Sequence, residues 1–343
     1  MAQLTRISSD RSWEQMLDQN SQKSLAMLCE RLGLLDQWKE SMMEPAKFLE
    51  NYLADKPELL IILLSEPDID LLLLIWDTHK KIEADYSSRV RMKSLELLGF
   101  IRYDHGAETV TVNEEAKHNF YFSLKSRMLL KRKTKYQEIE YAVKGILYVY
   151  GIVELSEMYD IISKEYSISY SEFWNFLIAR MDLWSFLGIL KNTKDSTFYA
   201  ISYEVRERNK VFESRMRNDF IDYAELSAED AIILGKMNGI GSWKGTQQLL
   251  AYGLDALYGE VMPATVFVKT LLVYVQNGDS LEEIREKTYT KMNDFSEEEQ
   301  EYVWNCIEDM YRYTPMYHLK GHYRYELEQE QHSFSVIEGG RKE

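Results

Sequence analysis

The stretch GFIRYDHGAETVTV, residues 99–112, decides the fold, because it predicts a β-hairpin directly after a helix. Aromatic and β-branched residues alternate with polar ones on both sides of a polar turn at residues 104–106. Gly99 comes at the end of a helix predicted from about Ser87 to Leu98, where a residue with positive φ is favoured. The chain therefore passes from a helix into a hairpin through a glycine.

A second stretch, LWSFLGILKNTKDSTFYAIS at residues 183–202, repeats this order. Gly188 aligns with Gly99, and a polar turn at residues 192–196 separates two further predicted strands. Helices followed by a hairpin are typical of a winged helix-turn-helix. We therefore predict a mainly α chain with short β-hairpins, made of tandem winged-helix-like units and a helical C-terminal domain. The alternative is a mixed helical domain with incidental hairpins.

The 343 residues suggest about two domains at roughly 150 residues each. Changes in the predicted secondary structure and in the charge along the sequence divide the chain into five parts. The predicted parts are a helical segment over 1–55, a first winged-helix-like unit over 56–122, a second over 123–203, a helical C-terminal domain over 204–330 and a flexible tail over 331–343. Residues 22–53 are predicted to form two short helices, and the capping boxes Ser280/Glu283 and Ser296/Glu299 predict two helix starts near the C-terminus.

Composition excludes several classes of protein. Five prolines and 16 glycines leave most of the chain free to be helical. The longest apolar runs, Leu59–Leu64 and Leu71–Trp76, are too short to span a bilayer, and no signal peptide is apparent, so we expect a cytoplasmic protein without a membrane partner. The two cysteines cannot form a Cys-rich zinc site or a disulfide framework.

The sequence contains no recognisable catalytic constellation. Phosphate-binding, dinucleotide-binding, serine-hydrolase and zinc-protease motifs are absent. His318 and His322 have the spacing of a metal pair on a helix, but Gly321 lies between them and favours a surface turn. Cys306 is interpreted as a buried thiol rather than a nucleophile. We therefore expect a protein that is not an enzyme and that uses neither a cofactor nor a metal.

The net charge of −15 requires any nucleic-acid surface to be local. Residues 123–136 carry six basic residues and no acid, whereas residues 280–309 carry ten acids against Arg285, Lys287 and Lys291. The basic stretch is interpreted either as a solvated helix face or linker, or as a contact for phosphate or an acidic partner. The acidic helices have one further interpretation, as a mimic of a phosphate backbone.

The first hairpin unit is the better candidate for nucleic-acid binding. Its last helix and hairpin supply four basic residues, whereas the second copy offers only Arg180 and Asn175 and is interpreted as a protein-packing module. The predicted contact residues are Arg89, Arg91, Lys93, Arg102, Lys125, Arg127, Lys131, Arg132, Lys133 and Lys135. The leading hypothesis is a cytoplasmic bacterial or mobile-element regulator that binds DNA, RNA or a nucleoprotein. The alternative is an acidic adaptor or inhibitor that binds a basic protein partner without nucleic acid.

Two segments carry a resemblance to known proteins. The segment YRYTPMYHLKGHYRYEL, residues 311–327, resembles a Thr-Pro-Met…Leu-Lys-Gly segment of Firmicute-type proteins that carry a zinc-binding SEC-C tail. Residues 23–53 are similar to the Rho N-terminal/SAP-like helical motif found in such proteins. The resemblance implies a nucleic-acid-related role. The cysteine pattern of the zinc tail is missing after Leu327, so neither the zinc nor any catalytic residue is implied.

Overall fold

The structure is a computed structural model that describes residues 2–78, 81–84, 86–180, 186–192, 196–217, 220–256, 261–289 and 295–326. The described chain is mainly helical, with two small β-sheets. Within these residues no helix combines the length and the apolar character needed to cross a membrane. The predicted tail over 331–343 lies outside the described residues.

The elements are numbered in chain order. The strands are β1 (Ala2–Ser9), β2 (Lys81–Ala84), β3 (Ile101–Asp104), β4 (Thr109–Asn113), β5 (Ile152–Glu154), β6 (Leu187–Lys191) and β7 (Phe198–Ser202). The helices are α1 (Trp13–Leu17), α2 (Gln22–Arg31), α3 (Leu35–Ser41), α4 (Pro45–Asp55), α5 (Leu60–Leu63), α6 (Glu66–Asp77), α7 (Tyr86–Leu97), α8 (Glu114–Leu124), α9 (Arg127–Tyr150), α10 (Leu155–Ser163), α11 (Tyr170–Arg180), α12 (Arg208–Arg217), α13 (Ala228–Lys236), α14 (Thr246–Ala256), α15 (Val261–Gln276), α16 (Leu281–Tyr289) and α17 (Glu297–Tyr313). Single 3-10 turns occur at Pro57–Leu59 and Tyr317–Leu319.

The chain divides into two compact units. Unit 1 comprises Met1–Glu138 and Tyr166–Ser185, and unit 2 comprises Ile139–Glu165 and Phe186–Glu343. Each unit contains one of the two sheets and one of the two predicted hairpins. The five-part division stays a prediction.

The sheet of unit 1 has the strand order β2-β1-β4-β3. The predicted hairpin is confirmed as β3 and β4, and Asp104 Oδ1 closes its turn by accepting hydrogen bonds from the backbone of Gly106 and Ala107. The glycine that ends the preceding helix has a φ of +69°. Strand β1 was not predicted. It pairs in parallel with β4 and antiparallel with β2, so its partners lie far along the chain and leave little local signal.

Aromatic side chains form the centre of the unit 1 core. Trp13 stacks on Phe100 with ring centroids 5.8 Å apart, and its edge meets Phe120 at 4.7 Å. The Trp13 indole also donates a hydrogen bond to the Leu98 carbonyl at 2.8 Å, which satisfies its buried N–H. These contacts fix α1 against the glycine bend and the hairpin that follows it.

Residues 22–53 form three helices, α2, α3 and α4, where two were predicted. Helix α3 has no fully buried side chain, so it lacks the apolar stripe on which the prediction relied. Gly33 and Met42 adopt left-handed φ values after α2 and α3 and separate the three helices.

The sheet of unit 2 has the order β5-β7-β6, and β6 and β7 confirm the second predicted hairpin. Residues 193–195 of its turn lie outside the described residues. Beside this sheet, Arg215 of α12 is almost fully buried and donates hydrogen bonds to the carbonyls of Tyr150, Ile152 and Tyr317. The arginine therefore ties α12 and the segment after α17 to the last residue of α9 and the first residue of β5.

Helices α9 and α13 approach each other at two glycines. A Cβ atom on Gly145 would overlap the carbonyl oxygen of Ala231, and one on Gly235 would overlap the carbonyl oxygen of Tyr141. Both helices therefore place a glycine against the other helix's backbone, which requires a residue without a side chain at each site.

The C-terminal helices begin where the capping boxes predict. Ser296 and Glu299 exchange their hydrogen bonds at the start of α17, and Ser280 and Glu283 do so before α16. Helices α14 to α17 enclose a core that contains Leu249, Leu272 and Ile307. The sequence prediction of a helical C-terminal region is confirmed for the described residues.

Candidate functional site

The four basic residues predicted on the first helix and hairpin do not form one free patch. Arg89 lies 3.7 Å from Glu108 in the hairpin turn, and Arg91 lies 3.3 Å from Asp68 in α6. Lys93 is exposed and has no ion pair within the described residues. Arg102 is exposed on β3 between the buried Ile101 and Tyr103, so it points away from the core face of the sheet. The four side chains therefore lie in different surroundings.

The basic stretch at residues 123–136 runs from α8 into α9 and is partly neutralised by acids of unit 1. Lys125 contacts Asp77 at 3.0 Å, and Lys135 donates a hydrogen bond to the Ser167 carbonyl at 2.8 Å. Lys135 also lies 3.6 Å from Glu172. Lys125 and Lys135 are therefore each paired with a carboxylate of the same chain.

Lys133 is the most enclosed of these cations, with 7% of its side chain exposed. Its Nζ lies 2.6 Å from Asp70 Oδ1 and 3.3 Å from Glu66 Oε1, both on α6. The structure thus brings Lys133 and Arg91 to acids of the same helix. Those acids neutralise one cation of each predicted basic stretch, which leaves less positive charge available to a phosphate.

Only part of the predicted set remains unpaired. Lys131 and Arg132 are exposed on α9 and, like Lys93 and Arg102, have no ion pair within the part of the chain that the structure describes. The side chain of Arg127 lies outside the described residues. The sequence contains a signal for this pairing, because three acids, Glu66, Asp68 and Asp70, lie within five residues at the start of α6.

The hydrogen bonds to Asp77 change the pKa of its carboxyl group. The hydroxyl of Tyr121 and the ammonium of Lys125 both donate to Asp77, and they lower the pKa of its carboxyl group. Asp77 therefore stays charged, and paired with Lys125, to a lower pH than an aspartate with an ordinary pKa.

The second copy places its predicted arginine inside the protein. Arg180 at the end of α11 is almost fully buried and donates hydrogen bonds to the carbonyls of Ile61 and Leu64 around α5. These carbonyls are among the groups that a helix C-terminus leaves without partners. Arg180 therefore packs inside unit 1, and the interpretation of the second copy as a protein-packing module stays a prediction.

The acidic third of the sequence forms an exposed surface on unit 2. On α17, Glu298, Glu301 and Glu308 are exposed on the face opposite the buried Val303 and Ile307. None of the three has an ion pair to a described residue. Glu282 and Glu286 on α16 are likewise exposed. These five carboxylates are thus open to a partner, whereas Arg91, Lys125 and Lys133 of unit 1 are held by acids.

The two histidines of the possible metal pair do not share a helix face. His318 is in a 3-10 turn, and Lys320 and Gly321 after it have positive φ, so the chain turns before His322. Burial lowers the pKa of His318, and Glu326 lies 3.0 Å from Nδ1 of His322. In the described ranges no group of three or more His, Cys, Asp or Glu side chains is arranged to hold a metal ion.

Cys306 is buried, as the sequence predicted, and burial raises the pKa of its thiol. A thiol with a raised pKa is mostly protonated at neutral pH and is a poor nucleophile. The side chain packs in the core of helices α14 to α17.

Comparisons with protein-family models, with curated proteins and with solved structures found no match. The resemblance of residues 23–53 and 311–327 to SEC-C-associated proteins therefore stays a prediction.

Proposed function

We propose that this chain is a protein-interaction adaptor that binds a basic segment of a partner protein through the acidic surface of unit 2. The distribution of paired and unpaired charge supports the proposal most directly. Arg91, Lys125 and Lys133, predicted as phosphate contacts, hold acids of their own unit. The glutamates on the outer face of α17 hold no described cation.

Energetic arguments favour the same assignment. A phosphate group must compete with the carboxylates that already neutralise these cations, and the net charge of −15 opposes the approach of a polyanion. A basic segment of a partner is instead attracted, both by the net negative charge of the whole chain and by the unpaired carboxylates.

The assignment of winged-helix-like units is part of this proposal. In unit 2, helix α10 and the sheet of order β5-β7-β6 support part of a winged-helix-like arrangement for the second copy. Helix α11, which precedes the hairpin in the sequence, belongs to unit 1. In the first copy, β1 lies between β2 and β4, which is an addition to that arrangement. Such modules serve in protein packing as well as in nucleic-acid binding, so the fold is compatible with an adaptor.

Neutralising the acids of α17 is expected to weaken binding of a basic peptide more than neutralising acids elsewhere. The variant Glu298→Gln/Glu301→Gln/Glu308→Gln should bind a fluorescent peptide of alternating Lys and Gly at least fivefold more weakly, because attraction falls with distance from the removed charge. Fluorescence anisotropy at about 50 mM salt measures the dissociation constant.

The matched control is Glu30→Gln/Asp36→Asn/Glu40→Gln, which removes three exposed carboxylates from unit 1. Both triple variants have the same net charge, −15 + 3 = −12, so a difference between them reports position alone. Equal weakening by the two variants would mean that the surface of unit 2 has no special role, and the adaptor proposal would be abandoned.

A nucleic-acid-binding regulator is the second candidate, and the unpaired Lys93, Arg102, Lys131 and Arg132 favour it. Gel-shift titrations with mixed-sequence duplex DNA and single-stranded RNA at about 50 and 200 mM salt test it. The adaptor proposal predicts no complex near physiological salt. A complex whose affinity falls steeply with salt, and falls further in Lys131→Ala/Arg132→Ala, would establish the regulator instead.

A further inference from the structure

A groove with a volume of about 560 Å³ lies within unit 2, between α13 and the segment after α17. Its lining residues on α13 are Asp230, Ile233 and Leu234, and Met237, the C-cap of that helix, continues the same face. They recur at intervals of three, one and three residues, so the groove follows a single face of the helix. Trp243, Pro315 and Tyr323 are among the residues that line the rest of it.

The groove exposes large apolar side chains. Ile233 is 47% exposed and Met237 is 38% exposed, and they lie one helical turn apart on the groove wall. Exposed apolar side chains grouped in a concavity and bordered by polar residues mark interaction sites. A methionine also adapts its shape to different apolar partners.

Three carboxylates line the groove, those of Glu225, Asp230 and Glu326, and its lining includes neither lysine nor arginine. His322 also lines it, with Nδ1 3.0 Å from Glu326. Asp230 accepts a hydrogen bond from Ser227, and Glu326 accepts one from the Tyr323 backbone at 3.1 Å, so both carboxylates are held in place. This rim repels a phosphate and attracts a cationic partner.

We infer that this groove binds a basic amphipathic helix of a partner protein. Apolar residues of that helix, spaced three to four positions apart, pack between Ile233, Met237 and Trp243, while its lysines or arginines face the three carboxylates. The inference rests on the proposed adaptor function and adds to it the form of the partner and an apolar docking site on unit 2, separate from the glutamates of α17.

The test uses the full chain and a fluorescent probe of about 18 residues built from leucine and lysine, with the leucines at helical i, i+3 and i+4 spacing. The variant Ile233→Ser/Met237→Ser is expected to bind this probe at least tenfold more weakly, because two apolar contacts are lost. The variant Glu225→Lys is expected to weaken binding as well, by reversing one charge of the rim. Circular dichroism and a thermal melt establish that each variant is folded.

The matched control for the apolar contacts is Val266→Ser, which removes an apolar side chain that is 59% exposed on α15 and does not line the groove. This variant should bind the probe within twofold of the natural sequence. A second control is a peptide of the same composition with leucine and lysine in strict alternation, which cannot present an apolar helix face; it should bind at least tenfold more weakly.

The outcomes separate this inference from the proposed function. If the groove variants bind like the natural sequence while the α17 triple variant weakens binding, the groove is not the docking site although the adaptor function stands. Equal affinity for the helical and alternating peptides would also overturn the inference, since charge alone would then explain binding. Failure of the adaptor proposal itself appears separately, as equal weakening by the two triple variants or as the nucleic-acid complex described above.

Discussion

Replacing Arg215 with methionine is expected to lower the free energy of unfolding of unit 2 by about 4 kcal/mol. The guanidinium donates to the carbonyls of Tyr150 and Ile152 at 2.6 Å, and its Nε donates to the Tyr317 carbonyl at 2.9 Å. Hydrogen bonds to a charged group contribute roughly 1.5–3 kcal/mol each, and a methionine leaves three carbonyls without a donor. Burial of the thioether offsets part of the loss. Urea denaturation followed by circular dichroism measures the change.

Arg217→Met is the control for this prediction, because Arg217 lies two residues further along α12 and its side chain is 79% exposed. We expect that variant to change the free energy of unfolding by less than about 1 kcal/mol. Arg215→Lys keeps the charge, but a single ammonium cannot reach three carbonyls in the geometry of a guanidinium, so its stability should fall between the two. If Arg215→Met unfolds at the same urea concentration as Arg217→Met, the three hydrogen bonds do not stabilise the unit.

Replacing Gly145 with alanine is expected to destabilise unit 2 by about 3 kcal/mol, although alanine favours helices by about 1 kcal/mol over glycine. The added Cβ would overlap the Ala231 carbonyl oxygen, so α9 and α13 must move apart and lose contacts along their whole crossing. A thermal melt should show a lower midpoint temperature for this variant.

The same substitution at Gly253 provides the comparison. Gly253 lies in α14, and a Cβ there would meet its nearest neighbour, the Cβ of Ala264, at 3.3 Å. Gly253→Ala is expected to be within about 1 kcal/mol of the natural sequence. Adding Ala231→Gly to Gly145→Ala should not restore stability, because the overlap is with a backbone oxygen that every residue carries. Restoration by that second change would show that side-chain crowding, rather than the close helix crossing, causes the loss.

The local features of the fold were predictable from sequence. Both hairpins, the glycine bend before the first and the capping boxes of α16 and α17 depend on residues within a few positions of each other. Turn and cap preferences act over that range, so their residue patterns carry the information.

Features that depend on distant partners were not predictable. Arg215 occupies a polar stretch of sequence that is typical of an exposed helix, and only the three-dimensional structure brings it to carbonyls more than sixty residues away. Arg180 is similar, since it contacts carbonyls more than one hundred residues earlier in the chain. A buried arginine leaves no periodic pattern, because its partners are main-chain atoms.

The candidate site was predictable in part for the same reason. The acidic character of α16 and α17 is a property of local composition and is present in the structure. The availability of the basic residues depends on pairing with α6, for example between Lys133 and Asp70, which are 63 positions apart. Clusters of charged residues can be found from the sequence, whereas the ion pairs that neutralise them are known only from the folded structure.

The position of β1 at the centre of its sheet has a consequence for synthesis on the ribosome. Both neighbours of β1 come later in the chain, and β4, its parallel partner, ends at Asn113. A nascent chain that stops short of that residue therefore holds β1 without its full set of backbone partners. Unit 1 also needs residues 166–185, so its folding follows translation of about half the protein, and until then β1 must be kept from pairing with other chains.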